Sequence, residues 1–340
     1  MRLTGLYSKI AHFGRPVVVT ACLAAFLVLL STPRALAQER SLGGDAAGLM
    51  GGPGDSASYA ASLAPARLGG PSVVRQDAGG SYVVARSSTD AWTLTGRAAR
   101  TELSRSPVIA ETGLVVPAKL WDLRAGAEFS RRLGERKRWG AGFGVGSASD
   151  LPFHTIRETE FRASAFRETP SGDRNSWLFF LAYSNNRTFA NGAPLPGVAY
   201  VFREPAPGLE AVVGLPFLSV RYRPTADWRF SAAAFGPTNL SAEASRCLAP
   251  WAWAYASVAR SPQQWLRAER AVRTDRLILD REQALAGLRL SLGRSVSADL
   301  AGGFEFRRRV FEGRDASRSG APRTVLPNAS VVQLRLTWRG

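Results

Sequence analysis

Residues 329–340 read ASVVQLRLTWRG. Val332, Leu334, Leu336 and Trp338 occupy alternate positions, with Val331, Gln333, Arg335, Thr337 and Arg339 between them. Successive side chains of a strand point to opposite faces, so this is a strand with one apolar and one largely polar face. Two solvents suit such a strand. In a soluble sheet the apolar face looks into a protein core, whereas in a transmembrane barrel it looks outward into lipid.

The same texture recurs upstream as hairpins. In LWDLRAGAEFS (residues 120–130), Trp121, Leu123, Ala125, Ala127 and Phe129 alternate with Asp122, Arg124, Gly126, Glu128 and Ser130. Gly134-Glu135-Arg136-Lys137 then turns the chain, and Trp139, Ala141, Phe143 and Val145 return against Gly140, Gly142, Gly144 and Gly146. A second hairpin runs Leu218, Val220, Tyr222, a turn at residues 224–227, then Trp228, Phe230, Ala232 and Ala234. A third runs Leu288, Leu290, Leu292, a turn at Gly293-Arg294, then Val296, Ala298, Leu300, Phe304 and Phe306.

The polar faces of these hairpins carry Arg124, Arg221, Arg223, Arg229, Arg289, Arg307 and Arg309, with Asp122, Glu128, Asp299 and Glu305. Placed in lipid, an arginine costs about 2–4 kcal/mol near the midplane. In a membrane, therefore, the charged face lines the lumen and the apolar face touches acyl chains. Trp121, Trp139, Trp177, Trp228 and Trp338 lie near strand ends, where an aromatic girdle belongs and where a soluble sandwich has little use for its largest side chains.

The front of the chain reads as an export signal. Arg2, Lys9 and Arg15 precede the apolar run PVVVTACLAAFLVLL (residues 16–30), and Ala35-Leu36-Ala37 is a small-x-small cleavage site with Gln38 as first mature residue. The run is shorter than the ~20 residues a spanning helix needs. A lipidation box at Val19-Thr20-Ala21-Cys22 is the rival reading, but the apolar run continues past Cys22. Residues 38–79 are dense in Gly, Ala, Ser and Pro and read as a flexible lead-in, with the barrel over 80–340.

The leader holds four of the 44 Lys and Arg and none of the 27 Asp and Glu, so 40 basic against 27 acidic residues leave +13 on the remaining 303. On an exported chain this charge suits lipid and lipopolysaccharide phosphates and points away from nucleic acid. Cys247 is the sole mature cysteine and His154 the sole mature histidine, which excludes an internal disulfide and a Cys/His zinc site.

Further strand candidates are residues 91–103, 157–168, 176–187, 197–203, 239–248, 251–259 and 276–283, the last continuous with 284–292 or separate from it. The expected fold is a closed antiparallel transmembrane β-barrel of about 12 strands, within a range of 10–14. A barrel needs an even number. The count is odd if every candidate is kept, and either Ser81–Arg86 or the proline-rich stretch at residues 204–216 is left to supply a missing strand. Ser261-Pro262-Gln263-Gln264 resembles a capping box, which predicts two helical turns over Trp265–Val272.

The terminal strand fits the insertion signal read by the barrel-insertion machinery, through Val332, Leu334, Leu336 and Trp338. With it, SNNRTFANGAPLPGVAYVF (residues 184–202) and GLPFLSVRYRPTADWRFSAAAFGPTNL (residues 214–240) resemble a family of uncharacterised outer-membrane β-barrel proteins of Gram-negative bacteria. The resemblance would cover about residues 90–340. It implies the fold and the outer membrane, and no activity.

No cofactor, metal or nucleotide site is legible. GVGSAS and GGPGDS lack the helix and Lys-Ser/Thr of a phosphate loop. His154 stands near Ser147, Ser149 and Asp150 in SASDLPFHTIRE, where a hydrolytic site would need base and nucleophile within ~3 Å. Three functions stay open. The first is a non-enzymatic porin-like or structural barrel, its basic lumen favouring small anionic solutes if it conducts. The second is a lipid- or lipopolysaccharide-modifying barrel enzyme, and the third a soluble periplasmic β-sandwich that binds a ligand. The oligomeric state is not legible.

Overall fold

The structure, a computed structural model, describes residues 54–65, 70–109, 112–204, 208–316 and 323–340. The first strands are β1 (Ser56–Ala64), β2 (Val73–Arg86), β3 (Asp90–Leu103), β4 (Lys119–Gly134) and β5 (Lys137–Ser149). Next come β6 (Glu160–Ser171), β7 (Asn175–Ser184), β8 (Leu195–Glu204), β9 (Leu209–Leu215) and β10 (Phe217–Tyr222). β11 (Trp228–Phe235), β12 (Asn239–Ala249), β13 (Ala252–Arg260) and β14 (Gln263–Trp265) follow. The chain ends with β15 (Arg276–Ser291), β16 (Val296–Gly313), β17 (Thr324–Val325) and β18 (Ala329–Arg339).

Successive staves pair antiparallel, β13 with β15, and β18 pairs with β16 on one side and β1 on the other. The sheet therefore closes on itself and leaves no free edge. β14 continues β13 along β15, and β17 lies on the far end of β16, so both are extensions of staves. Among the described residues sixteen staves form an all-β barrel. This corrects the expected count of about 12.

All thirteen independent candidates from the sequence are strands or parts of strands, with 276–292 continuous as β15. The three additional staves are β1, β2 and β9. The expected lead-in over 38–79 is therefore corrected where Ser56–Ala64 and Val73–Arg86 form staves. The signal, with Ala35, Ala37 and Gln38, lies outside the described residues. Trp265–Val272 is not helical: Gln263–Trp265 is strand, and the segment that follows is irregular. Pairing with β15 wins over the capping signal there.

The two ends differ. Short turns close one end, several with a glycine in the left-handed region, such as Gly172 at φ 68° and Gly293 at φ 100°. Both ends of the described chain lie there too, where Ser56 pairs with Arg339. The opposite end carries longer connections, among them residues 104–118, 150–159, 185–194 and 266–275. These are the turn end and the loop end.

Leu94, Phe143, Phe179, Leu181, Val213, Leu218, Leu240, Val258, Leu288, Leu300, Phe304 and Val332 are all exposed, and they lie on the face opposite the ion pairs. On β16 this outer apolar run spans residues 296 to 306, about the ten residues that a tilted strand needs to cross a bilayer. No helix among the described residues is long and apolar enough to cross a membrane.

Candidate functional site

The inner wall is built from charged pairs laid over small residues. Asp77, Arg97, Asp122, Arg124, Glu160 and Arg162 form a chain of ion pairs from β2 to β6. Arg97 meets Asp77 at 2.6 Å and Asp122 at 3.2 Å, and Arg124 meets Asp122 at 2.6 Å. The inner face of β5 is Gly140, Gly142, Gly144 and Gly146. A Cβ on Gly146 would stand 2.8 Å from Arg124 Cγ, so the glycine is where the arginine lies flat on its way to Glu160. These glycines relieve crowding in the wall.

A second cluster is fully enclosed. Glu305 receives Arg75 at 2.6 Å, Arg281 at 2.5 Å and Arg308 at 3.3 Å, and all four side chains are at most 3% exposed. Arg75 belongs to β2 and Glu305 to β16, with β1 and β18 between them. The inner face of β1 is Ser58, Ala60, Ser62 and Ala64, small enough for the arginine to reach across.

Arg308, rather than Arg307 or Arg309, joins this cluster because of a β-bulge. Asp280 pairs with Arg309 and Glu282 with Phe306, so Arg281 opposes both Arg307 and Arg308. Arg307 takes φ 49°, a left-handed conformation rare outside glycine, and the extra residue inverts the alternation beyond it. Arg307 and Arg309 are thereby corrected from the lumen to the outer face. They pair there with Glu282 at 3.1 Å and Asp280 at 3.2 Å, just beyond the outer apolar run.

The other arginines of the expected lumen set divide. Arg124 and Arg289 are inside and paired. Arg221 faces Glu210 at 3.4 Å, and Arg229 lies 3.6 Å over the ring of Trp253. Arg223 is exposed beyond the end of β10, in the turn, where its N–H donates to Gly208 O, so it too is corrected from the wall.

The turn-end half of the lumen contains a cavity of about 160 Å³, lined by Ser231, Glu243, Tyr255, Ser257, Arg289 and Asp299 among others. Arg289 donates Nε to Asp299 at 2.8 Å and both terminal nitrogens to Glu243, at 3.1 and 3.3 Å, reaching across β13 to do so. Its guanidinium stands 5.0 Å from the centre of the Tyr255 ring. Arg289 and Glu243 keep 35% and 27% of their side chains exposed, so water reaches the site.

The loop end is bridged. β7 and β15 are seven staves apart in a ring of sixteen, nearly opposite, yet Gln264 Nε2 donates to Asn186 Oδ1 at 3.0 Å and Arg276 Nη2 to Asn185 O at 2.6 Å. Leu266 N donates to Ala148 O at 2.6 Å, Ala268 N to Asp150 Oδ1 at 2.9 Å and Arg270 Nη2 to Arg157 O at 2.7 Å. Burial pulls the Arg270 guanidinium below its ordinary value, while Glu158, 3.8 Å away, works in the opposite direction. Beneath this strap Trp265, Ile109, Val116 and Leu326 pack into an apolar core with inward residues Leu277, Leu279, Val310 and Val331. A second inner apolar patch, Leu178, Phe180, Val201, Val212 and Phe217, lies on β7 to β10.

Aromatics gather at the turn end. Trp92 packs on Phe129 and Phe129 on Trp139, with ring centres 4.9 and 5.2 Å apart. Trp177 meets Tyr200 at 4.9 Å, and Trp228 stacks on Phe230 at 5.7 Å. Trp338 is on the same outer face of β18 as Val332 and Leu336, near the end of the strand. Trp121 lies instead at the loop end, under the Arg100 guanidinium. Trp92 and Trp251, exposed at the turn end, add to the expected girdle, and each stands at the edge of a polar or small-residue turn.

Ser147 Oγ donates to Glu158 O and accepts from Phe153 N, Ser149 Oγ donates to Asp150, and His154 is exposed on the loop. Both hydroxyls are engaged in shaping the 150–159 connection. No group of three or more His, Cys, Asp or Glu side chains that could hold a metal occurs among the described residues.

No family model matches the chain, so the resemblance of residues 184–202 and 214–240 gains no support there. No curated protein matches it either. Solved structures of similar fold include an outer membrane channel from Pseudomonas putida F1, 9% identical, covering 85% of this chain and 96% of that one, with a TM-score of 0.33. The toluene transporter TodX of Pseudomonas putida is 12% identical over 90% of this chain and 96% of its own, with a TM-score of 0.36. A bacterial polysaccharide outer membrane secretin is 13% identical over 84% and 98%, with a TM-score of 0.35. At these scores the barrel assignment rests on the closed strand register of this chain itself.

Proposed function

We propose that the chain is an integral outer-membrane β-barrel whose lumen is a gated passage for small solutes, closed at the loop end in this state. The observation that carries the reading is the inversion of its two faces: exposed Leu, Val and Phe outside, ion-paired charge inside. A soluble barrel exposing that belt to water would aggregate. In the orientation usual for such barrels, short turns and both strand ends face the periplasm and the longer loops face outward. The aromatics at the turn end then sit at the inner membrane–water interface.

The terminal strand would be the segment read by the insertion machinery, and the basic outer loops would meet lipopolysaccharide phosphates. The matched charges of the wall favour a weak anion preference over a strong one.

Two measurements test the reading. Cell fractionation, with gels run before and after heating, is expected to place the chain in the outer membrane as a heat-modifiable species. Recovery as a water-soluble monomer overturns it. Planar-bilayer recording is expected to show brief openings from a mostly closed state, and complete silence in either salt direction removes the passage while leaving a structural barrel.

A further inference from the structure

The cavity at the turn end carries a selectivity of its own. Its fixed charges are Arg289 and Arg335 against Glu243 and Asp299, so the lining sums to zero. Arg289 is committed to both carboxylates, and Arg335 stands opposite Asp299 in the β16–β18 register. An anion placed here would meet two carboxylates, and a cation would meet two guanidiniums. Neither replaces the lost hydration cheaply.

A neutral solute rich in hydroxyls avoids this conflict. Its O–H groups donate to carboxylates and accept from guanidiniums, and most of the remaining lining matches that dual character, beside the aliphatic Ala242, Val258, Ala259 and Leu285. Ser231, Ser241 and Ser257 each donate and accept, as do the amides of Gln283 and Gln333. Tyr255 adds an aromatic body with a polar tip. At ~10–15 Å³ of free space for each water, about 160 Å³ holds on the order of ten waters, the room taken by a solute of about a dozen non-hydrogen atoms.

We infer that this cavity binds a small neutral polyhydroxylated solute of monosaccharide size, entering from the turn end. The inference deepens the passage proposed above and rests on water reaching the lumen from that side. Few strong contacts and a wet site set the affinity at about the millimolar level.

Saturation-transfer NMR of the detergent-folded full chain, with glucose and separately inorganic phosphate as probes, tests it. Glucose is expected to receive saturation and to titrate in the millimolar range, with phosphate failing to compete. Ser257→Leu and, independently, Ser231→Leu fill the space and are expected to weaken glucose at least about tenfold, provided the unheated gel mobility shows each folded. No glucose signal from folded protein overturns the inference, as does binding of phosphate in preference. Glucose binding without conductance would remove the passage and keep the site. Conductance without glucose binding would remove the site and keep the passage.

Discussion

Arg124 on β4 meets Glu160 on β6 at 3.5 Å, although a whole strand lies between them. The register explains the contact: Arg124 pairs with Gly146, and Gly146 pairs with Glu160, so the three form one row with a glycine in the middle. A Cβ on Gly146 would come within 2.5 Å of Leu123 O, which is backbone and cannot step aside. Gly146→Ala is expected to destabilise the barrel by about 1–3 kcal/mol through overpacking. Gly96→Ala, where a Cβ meets nothing within 4 Å, is expected to change little. Urea titrations of folded protein in lipid vesicles measure both, and equal midpoints for the two variants contradict the row.

Glu305 is a carboxylate shared by three buried arginines, Arg75, Arg281 and Arg308. Removing one partner of a buried ionic cluster costs about 3–5 kcal/mol, because the charge left behind is uncompensated. Glu305→Ala is therefore expected to abolish or severely reduce the folded, fast-migrating species. Arg307→Ala, on the outer side of the same bulge and 70% exposed, is expected to stay within about 0.5 kcal/mol of the parent. Equivalent losses would place Arg307 inside and deny the inversion of phase.

The contrast between those two residues marks where the sequence stops being legible. β4, β10, β11, β15 and β16 are plain in the chain because large apolar side chains alternate with charged or polar ones, the pattern that two different solvents impose, and β5 because its apolar residues alternate with glycines. β1 lacks that contrast, since its inner face, Ser58, Ala60, Ser62 and Ala64, is small in order to let Arg75 pass. β9 lacks it for the opposite reason: Val212 faces the inner apolar patch and Val213 faces outward, so both sides are apolar. The alternation also carries no trace of the bulge at Arg307, which is why alternation alone places Arg307 and Arg309 in the lumen. The candidate site was legible through Arg289 and Asp299, whereas Glu243 and Tyr255 lie on strands whose register with β15 no local pattern reveals.

Leu300 offers a test of which solvent the outer face meets. It is 56% exposed and pairs with Leu288 and Leu334 on the neighbouring strands, near the middle of the outer run. In a membrane Leu300→Arg costs about 2–4 kcal/mol, whereas on a water-exposed surface a substitution of this kind stays within about 0.5 kcal/mol. The expected outcome is a loss in the larger range when folding is titrated in vesicles. A change indistinguishable from zero would leave the apolar belt without a lipid role.

The mouth is held by contacts that a pair of substitutions can release. Gln264 and Arg276 reach across the loop end to the side chain of Asn186 and the carbonyl of Asn185. The apolar core beneath them, with Trp265 and Leu277, resists opening whether or not these bonds are present. Each hydrogen bond contributes about 0.5–1.5 kcal/mol, so Gln264→Leu with Arg276→Leu shifts the balance of closed and open states by roughly five- to 150-fold. Planar-bilayer recordings of the double variant are expected to show a correspondingly higher open probability at unchanged single-channel conductance, because the turn-end cavity is untouched. A higher conductance at the old open probability would instead mean that the strap narrows an already open pore, and the strap would then be a constriction and not a gate.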